Sequence, residues 1–271
     1  MREHDGWRAT LDLAYARAGS RTVPTLRAHS GPLRVQKHFE PEPGLCEHIV
    51  VHPPGGIAGG DDLAIHVALG EDARVRLTTP GATRWYWGAG RRAAQRIEVC
   101  LAARSTLELL PHPHVVFDEA DAESQVAIEL ASGATFIGWD VVALGRRAGD
   151  HPFRSGRWAS RIELEREGRI LYMDRLDLPA DSSLRTSPLG LIGRDAFGTA
   201  IFAGDRVLVD ALREVAAGVL SVGITEVHGL TVARAVGDSA ESIHRWFIEL
   251  WRIGAPLLTG RAVKEPRIWR T

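Results

Sequence analysis

The chain has 271 residues, 45% of them hydrophobic and 25% charged, with a formal net charge of -1. That balance suits a globular protein with a full core, and a β-rich fold can reach this length as one domain. It lacks the concentrated basic surface that nucleic acid or an anionic membrane would require, so neither is expected as a partner.

The N-terminus carries charge at once, at Arg2, Glu3 and Asp5, where a secretion signal would need an apolar run. No segment approaches the roughly 20 apolar residues that span a bilayer. The two cysteines, Cys46 and Cys100, lie far apart and imply no disulfide framework. A cytoplasmic location with reduced thiols is the expectation.

Most of the chain reads as strands. The segment His52-Pro53-Pro54-Gly55-Gly56-Ile57-Ala58-Gly59-Gly60-Asp61-Asp62 comes first. It ends without the Gly-Lys-Ser/Thr of a phosphate-binding loop, and a strand-like pattern follows it where a dinucleotide fold needs a helix. It reads as a tight strand connection closed by an acid that accepts hydrogen bonds from exposed amides. Asp61 and Asp62 then stand at a rigid corner.

Leu63, Ile65, Val67 and Leu69 alternate with small or polar neighbours, and Val75 and Leu77 resume the pattern after Gly70–Ala73. That is the signal of a hairpin. Ile97, Val99 and Leu101 repeat the alternation, as do Val126, Ile128 and Leu130, and then Ile162 and Leu164. Glu167-Gly168 turns the chain into a further strand, 170–174. After Asp205, Leu208, Leu212 and Val215 take helical spacing. A stronger helix starts at Asp238-Ser239 with the stripe Ile243, Trp246, Phe247, Leu250 and Trp251, and Gly254 and Pro256 are expected to end it. Such a stripe is a packing face before it is a ligand box. No low-complexity segment, linker or fixed-period repeat divides the chain. The expected fold is mainly β: one domain, 1–271, a flattened two-layer β-structure of helix-like or sandwich-like stacking, with about two helices in the C-terminal part.

Candidate metal ligands fall in three groups. Cys46-Glu47-His48 has His52 nearby, and His112-Pro113-His114 lies just behind Glu108. Imidazole, thiolate and carboxylate suit nickel, zinc or copper. Yet there is no CxxC pair and no HExxH, so a closed structural site is not indicated. The third group is Glu108 and Asp140, each inside an apolar strand. An acid there either faces water by alternation or is buried with a partner, and buried acids along a wet passage would carry a divalent cation. No Gly-x-Ser-x-Gly elbow or nucleophile–base order appears. The acidic run Asp118, Glu119, Asp121 and Glu123 reads as a solvated face.

Several stretches then fall into register with one family. They are Gly31-Pro32-Leu33, Pro53-Pro54-Gly55-Gly56 with Gly59-Gly60-Asp61, 77–83, Leu107-Glu108-Leu109-Leu110-Pro111 with Phe117, Gly145-Arg146, 229–234 and Pro266-Arg267-Ile268-Trp269. Over nearly its whole length the chain resembles the UreD (UreH) urease accessory proteins. It departs from their pattern at Arg84, where lysine is usual, and at Asp150, where glutamate is common.

The resemblance implies a non-enzymatic metallochaperone scaffold. It implies partners UreF, UreG and apo-urease, assembly with UreF as a dimer of heterodimers, and GTPase-dependent nickel insertion into urease. No tightly bound cofactor is implied, only Ni2+ in transit. Asp61, Glu108 and Asp140 are the first candidates for handling that ion, followed by Glu47, His48, His112 and His114. Trp246 and Trp251 are candidates for holding UreF. Two other readings remain on the residues alone. One is a metal-dependent hydrolase on a β-sandwich using His112, His114 and an acid. The other is a β-rich carbohydrate- or peptide-binding module that uses the tryptophans.

Overall fold

The computed structural model describes residues 6–146, 149 and 151–270; Arg2, Glu3, Asp5 and Asp150 lie outside the described residues. The chain begins with β1 (Arg8–Ala18), β2 (Arg21–Ser30) and β3 (Arg34–Val35). It continues through β4 (Cys46–Val51), β5 (Asp62–Leu69), β6 (Arg74–Thr78), β7 (Thr83–Trp85), β8 (Arg92–Leu101) and β9 (Thr106–Leu110). Next come β10 (His114–Val116), β11 (Asp121–Leu130), β12 (Thr135–Arg146), β13 (His151–Pro152), β14 (Arg157–Arg166) and β15 (Arg169–Pro179). The C-terminal part holds β16 (Ala196–Ala203), α1 (Val209–Arg213), β17 (Ser221–Val227), β18 (Leu230–Gly237) and α2 (Ala240–Thr259), closing on a 3-10 turn at Arg267–Arg270.

These strands form two stacked sheets. In the first, β1, β5, β8, β11 and β14 run parallel, with β2 and β15 antiparallel at its edges. In the second, β4, β6, β9 and β12 run parallel, and β16, β18 and β17 continue it antiparallel. From β4 to β14 the chain passes from one sheet to the other and back, coil upon coil. The short strands β7 and β10 stack parallel beside the far end of β12. The expectation of a mainly β, two-layer, helix-like stack with two helices near the C-terminus is met.

The expected hairpin at Gly70–Ala73 is not one. β5 pairs with β1 and β8, whereas β6 pairs with β4 and β9. Gly70–Ala73 is a corner, held by the Ala73 amide on the Gly70 carbonyl. The alternation was sound, because Val67, Leu69, Val75 and Leu77 share one core. Period-2 patterning shows that a strand is half-buried and leaves its hydrogen-bonding neighbour open. The turn at Glu167-Gly168, by contrast, does join antiparallel partners β14 and β15.

One apolar core fills the space between the sheets. A second lies between the outer face of the second sheet and the helices. This second cover explains why every residue of β9 is buried, since a parallel sheet packed on both faces loses its alternation. The first sheet keeps an open face, where Asp12, His66 and Glu98 stand side by side across three strands.

Ser239 caps α2 by accepting a hydrogen bond from the Ser242 amide, as the sequence implied. The helix does not stop at Gly254 or Pro256; it runs to Thr259 and ends on Gly260 in the left-handed conformation at φ 66°. Gly254 is a packing residue: a Cβ there would lie 2.8 Å from the Phe202 ring. Pro256 sits near the C-terminal end, and Gly260 and Thr259 send hydrogen bonds back to the Pro256 and Ala255 carbonyls. Trp246 and Trp251 are buried in the core of the chain itself, so packing is their first role.

Candidate functional site

The glycine corner is built as its composition suggests. Asp61 accepts a hydrogen bond from the Trp7 amide at 2.7 Å on one oxygen and from the Ala58 amide at 2.8 Å on the other. Backbones meet closely around it: a Cβ on Gly59 would lie 2.3 Å from the Gly88 Cα. Only glycine permits that approach. Both carboxylate oxygens of Asp61 are thus engaged in fixing the loop.

Glu47, Arg76 and Glu108 occupy one rung across the parallel strands β4, β6 and β9. All three are buried, Arg76 completely. Its guanidinium donates to Glu108 at 2.7 Å, to Glu47 at 3.2 Å, to Glu42 at 3.2 Å and to the Lys264 carbonyl at 2.8 Å. The Trp251 indole lies under it, 4.9 Å from ring centre to guanidinium carbon, and donates to the same Glu108 oxygen. Burial pushes the Glu47 carboxyl up, against the pull of Arg76. The cluster seals the C-terminal helix and tail onto the outer face of the second sheet. Arg76 carried no signal in the sequence beyond a charge in an apolar strand.

Asp140 is placed differently. Trp139 and Val141 face the helices, so alternation turns Asp140 inward, between the sheets. There it meets His114, whose Nε2 stands 3.3 Å from Asp140 Oδ1. The Trp85 indole donates to His114 Nδ1 at 3.0 Å. That bond makes Nδ1 an acceptor, so the neutral ring carries its hydrogen on Nε2, toward Asp140. Burial raises the Asp140 pKa and lowers that of His114. Despite the close approach, Oδ1 is buried without a hydrogen-bond partner among the described residues.

Asp140 and His114 line a cavity of about 70 Å³ together with Thr78, Thr83, Gln95 and Ser124. That is room for several waters, with polar groups to hold them. Asp140 also lines a smaller void of about 20 Å³ beside Gly138 and Thr199. It lines as well an open groove of about 300 Å³ that carries Asp174, Arg175 and Arg234. One carboxylate therefore borders an interior cavity, a void and a surface groove.

The remaining candidates are scattered. His48 faces the interior, where its Nδ1 meets the Tyr15 hydroxyl at 2.6 Å, and burial lowers its pKa to about 4. His112 lies on the other side of the second sheet against His244 and Trp269, on α2 and the C-terminal turn. His112 and His114 thus face opposite ways, which removes the paired-histidine basis of the hydrolase reading. No cluster of three or more potential ligands for a metal ion occurs among the described residues. His244 and Trp85 were not among the expected site residues: His244 is a lone histidine on α2, Trp85 belongs to the aromatic run Trp85-Tyr86-Trp87, and only the fold brings each to an imidazole.

The sequence profile of the family described as "UreD urease accessory protein" matches residues 7–270. The chain is 44% identical to "Urease accessory protein UreD" of Pseudomonas fluorescens Pf-5, over 98% of its own length and 95% of the relative's. It is 44% identical to the protein of that name from Pseudomonas aeruginosa PAO1, over 99% and 96%. It is 42% identical to that of Nitrosococcus oceani, over 98% and 90%.

Proposed function

The chain belongs to the UreD family of urease accessory proteins, and from that premise we propose that it is the scaffold through which nickel reaches apo-urease. It serves urease as an accessory protein and not as an enzyme. In this reading it binds UreF and apo-urease, recruits the GTPase UreG and passes Ni2+ on by way of its interior. Assembly with UreF as a dimer of heterodimers and a cytoplasmic site of action complete the proposal. Among the described residues no helix is long and apolar enough to cross a membrane.

The observation that carries this reading is the placement of Asp140. A buried carboxylate oxygen without a hydrogen bond, beside a neutral imidazole and lining a cavity with room for water, can meet a divalent cation and release it. Oxygen ligands supplemented by water hold such an ion less firmly than a thiolate cage. Asp61 and Glu108 support the passage differently, because their oxygens are committed to backbone amides and to Arg76. Glu47 acts with Glu108, and His48 and His114 keep the interior polar.

The test is urease maturation in cells that co-express each variant. Asp140→Asn keeps size and shape. It is expected to lower the nickel content and activity of urease by about tenfold or more while the chain still co-purifies with UreF. Full activation with Asp140→Asn would overturn the transit reading, and loss of co-purification would refer the defect to assembly.

A further inference from the structure

His112 and His244 stand on the outer side of the second sheet, and neither lines the cavity that holds Asp140. We propose that these two imidazoles form a separate binding site for a borderline divalent cation of the Zn2+ or Ni2+ type, with water completing its coordination.

Hydrogen bonding prepares the His112 ring, and burial leaves a nitrogen of His244 unpaired. His112 Nδ1 lies 2.8 Å from the Thr79 carbonyl oxygen. A carbonyl oxygen only accepts, so Nδ1 carries the hydrogen and Nε2 keeps its lone pair. Metal-bound histidines are oriented in this way by a carbonyl behind the ring. His244 Nε2 is buried without a hydrogen-bond partner among the described residues, on a side chain only 8% exposed. A polar atom left unpaired at such depth calls for an explanation, and a bound ion supplies one.

The spacing fits. A cation held at about 2.0–2.1 Å by each ring nitrogen lies about 3.2 Å from each ring centre, and a tetrahedral angle then separates the centres by about 5.2 Å. The observed separation is 5.2 Å. The ligands are also in their binding form. Burial lowers the pKa of both rings, that of His244 to about 4, so protons do not compete near neutrality. Trp139 and Trp269 wall the pair, while His112 is only half-buried and leaves a way in. Two protein ligands with water describe an exchangeable site and not a structural one.

The site joins the connection between β9 and β10, the N-terminal half of α2 and the C-terminal turn. It depends on neither Asp140 nor nickel transit through the interior. The experiment is a Zn2+ titration of the full-length chain, followed by long-range proton–nitrogen NMR of the imidazoles and by a competing chelator. Stoichiometric Zn2+ should move the Nε2 signals of His112 and His244 together. His112→Gln and His244→Gln should each weaken that binding about tenfold or more. Should a variant fail to fold, the wild-type spectrum decides alone. Zn2+ binding that leaves both Nε2 signals in place, or an absence of stoichiometric binding, would overturn the proposal.

Discussion

Trp251 donates its indole N–H to Glu108 at 3.2 Å, tying the C-terminal helix to a carboxylate in the middle of the second sheet. The same oxygen accepts from Arg76, and the three side chains are buried together. Removing one member of a buried ion pair leaves the other charged and poorly solvated, at a cost of about 3–5 kcal/mol. Glu47 and Glu42 still face Arg76 and place Glu108→Ala toward the low end of that range. Chemical denaturation should show the loss, and soluble yield should fall with it. Wild-type stability in Glu108→Ala would mean that the cluster does not hold the helix.

Asp61 offers a contrasting case at the glycine corner. Asp61→Ala leaves the Trp7 and Ala58 amides without their acceptor, which costs about 1–3 kcal/mol each where they are shielded from water. Gly59→Ala drives a methyl into the Gly88 backbone and should cost a comparable amount through overpacking. Both substitutions are expected to lower the melting temperature and to increase proteolysis near residues 55–60. A Gly59→Ala protein as stable as wild type would show that the two backbones can separate freely.

Much of this architecture was legible in the residues, and the gaps have physical causes. The strands around Leu63–Leu69, Ile97–Leu101 and Val126–Leu130 announced themselves by alternation, because the first sheet has one face in water. Their stacking did not show. The three strands lie in register through Leu69, Leu101 and Leu130, but each coil buries whichever apolar side chains fit and so leaves no repeated motif. In the second sheet both faces are covered, and β9 gave no clue to which way Glu108 pointed. The corner acid Asp61 was readable because its partners are local in sequence or brought close by glycine. The pairing of Asp140 with His114 and of His112 with His244 required the fold, since His112 and His114, two residues apart, turn to opposite sides of the sheet where 111–113 leave strand geometry.

Acid should weaken the fold through its buried histidines. His48 and His244 have folded pKa values lowered to about 4, chiefly by burial, against an ordinary value of 6.5 in the unfolded chain. Between those values the unfolded state binds more protons, so falling pH favours unfolding. The stabilising contribution is complete above about pH 6.5 and disappears as pH drops toward about 4. Two such groups together are worth on the order of several kcal/mol across that window. Denaturation midpoints at pH 7.5 and pH 5 should differ accordingly, and His244→Phe should flatten the difference. An unchanged slope in that variant would mean that His244 is already protonated in the folded chain.

The cysteines should be dispensable for nickel handling, and their surroundings say why. Cys46 is buried between the sheets, where burial raises its thiol pKa to about 12. Cys100 is exposed, but partial burial and the neighbouring Glu129 raise its pKa as well. A metal ion binds the thiolate and not the thiol, and both sites hold the proton at neutral pH. Alkylation of the folded chain should therefore label Cys100 slowly and leave Cys46 untouched until denaturation, as mass spectrometry of the intact protein can show. Cys100→Ser should leave urease activation unchanged within about twofold, since only a protonated side chain is exchanged for another. A marked loss of activation in that variant would place a thiolate on the nickel route and demote the carboxylate at Asp140.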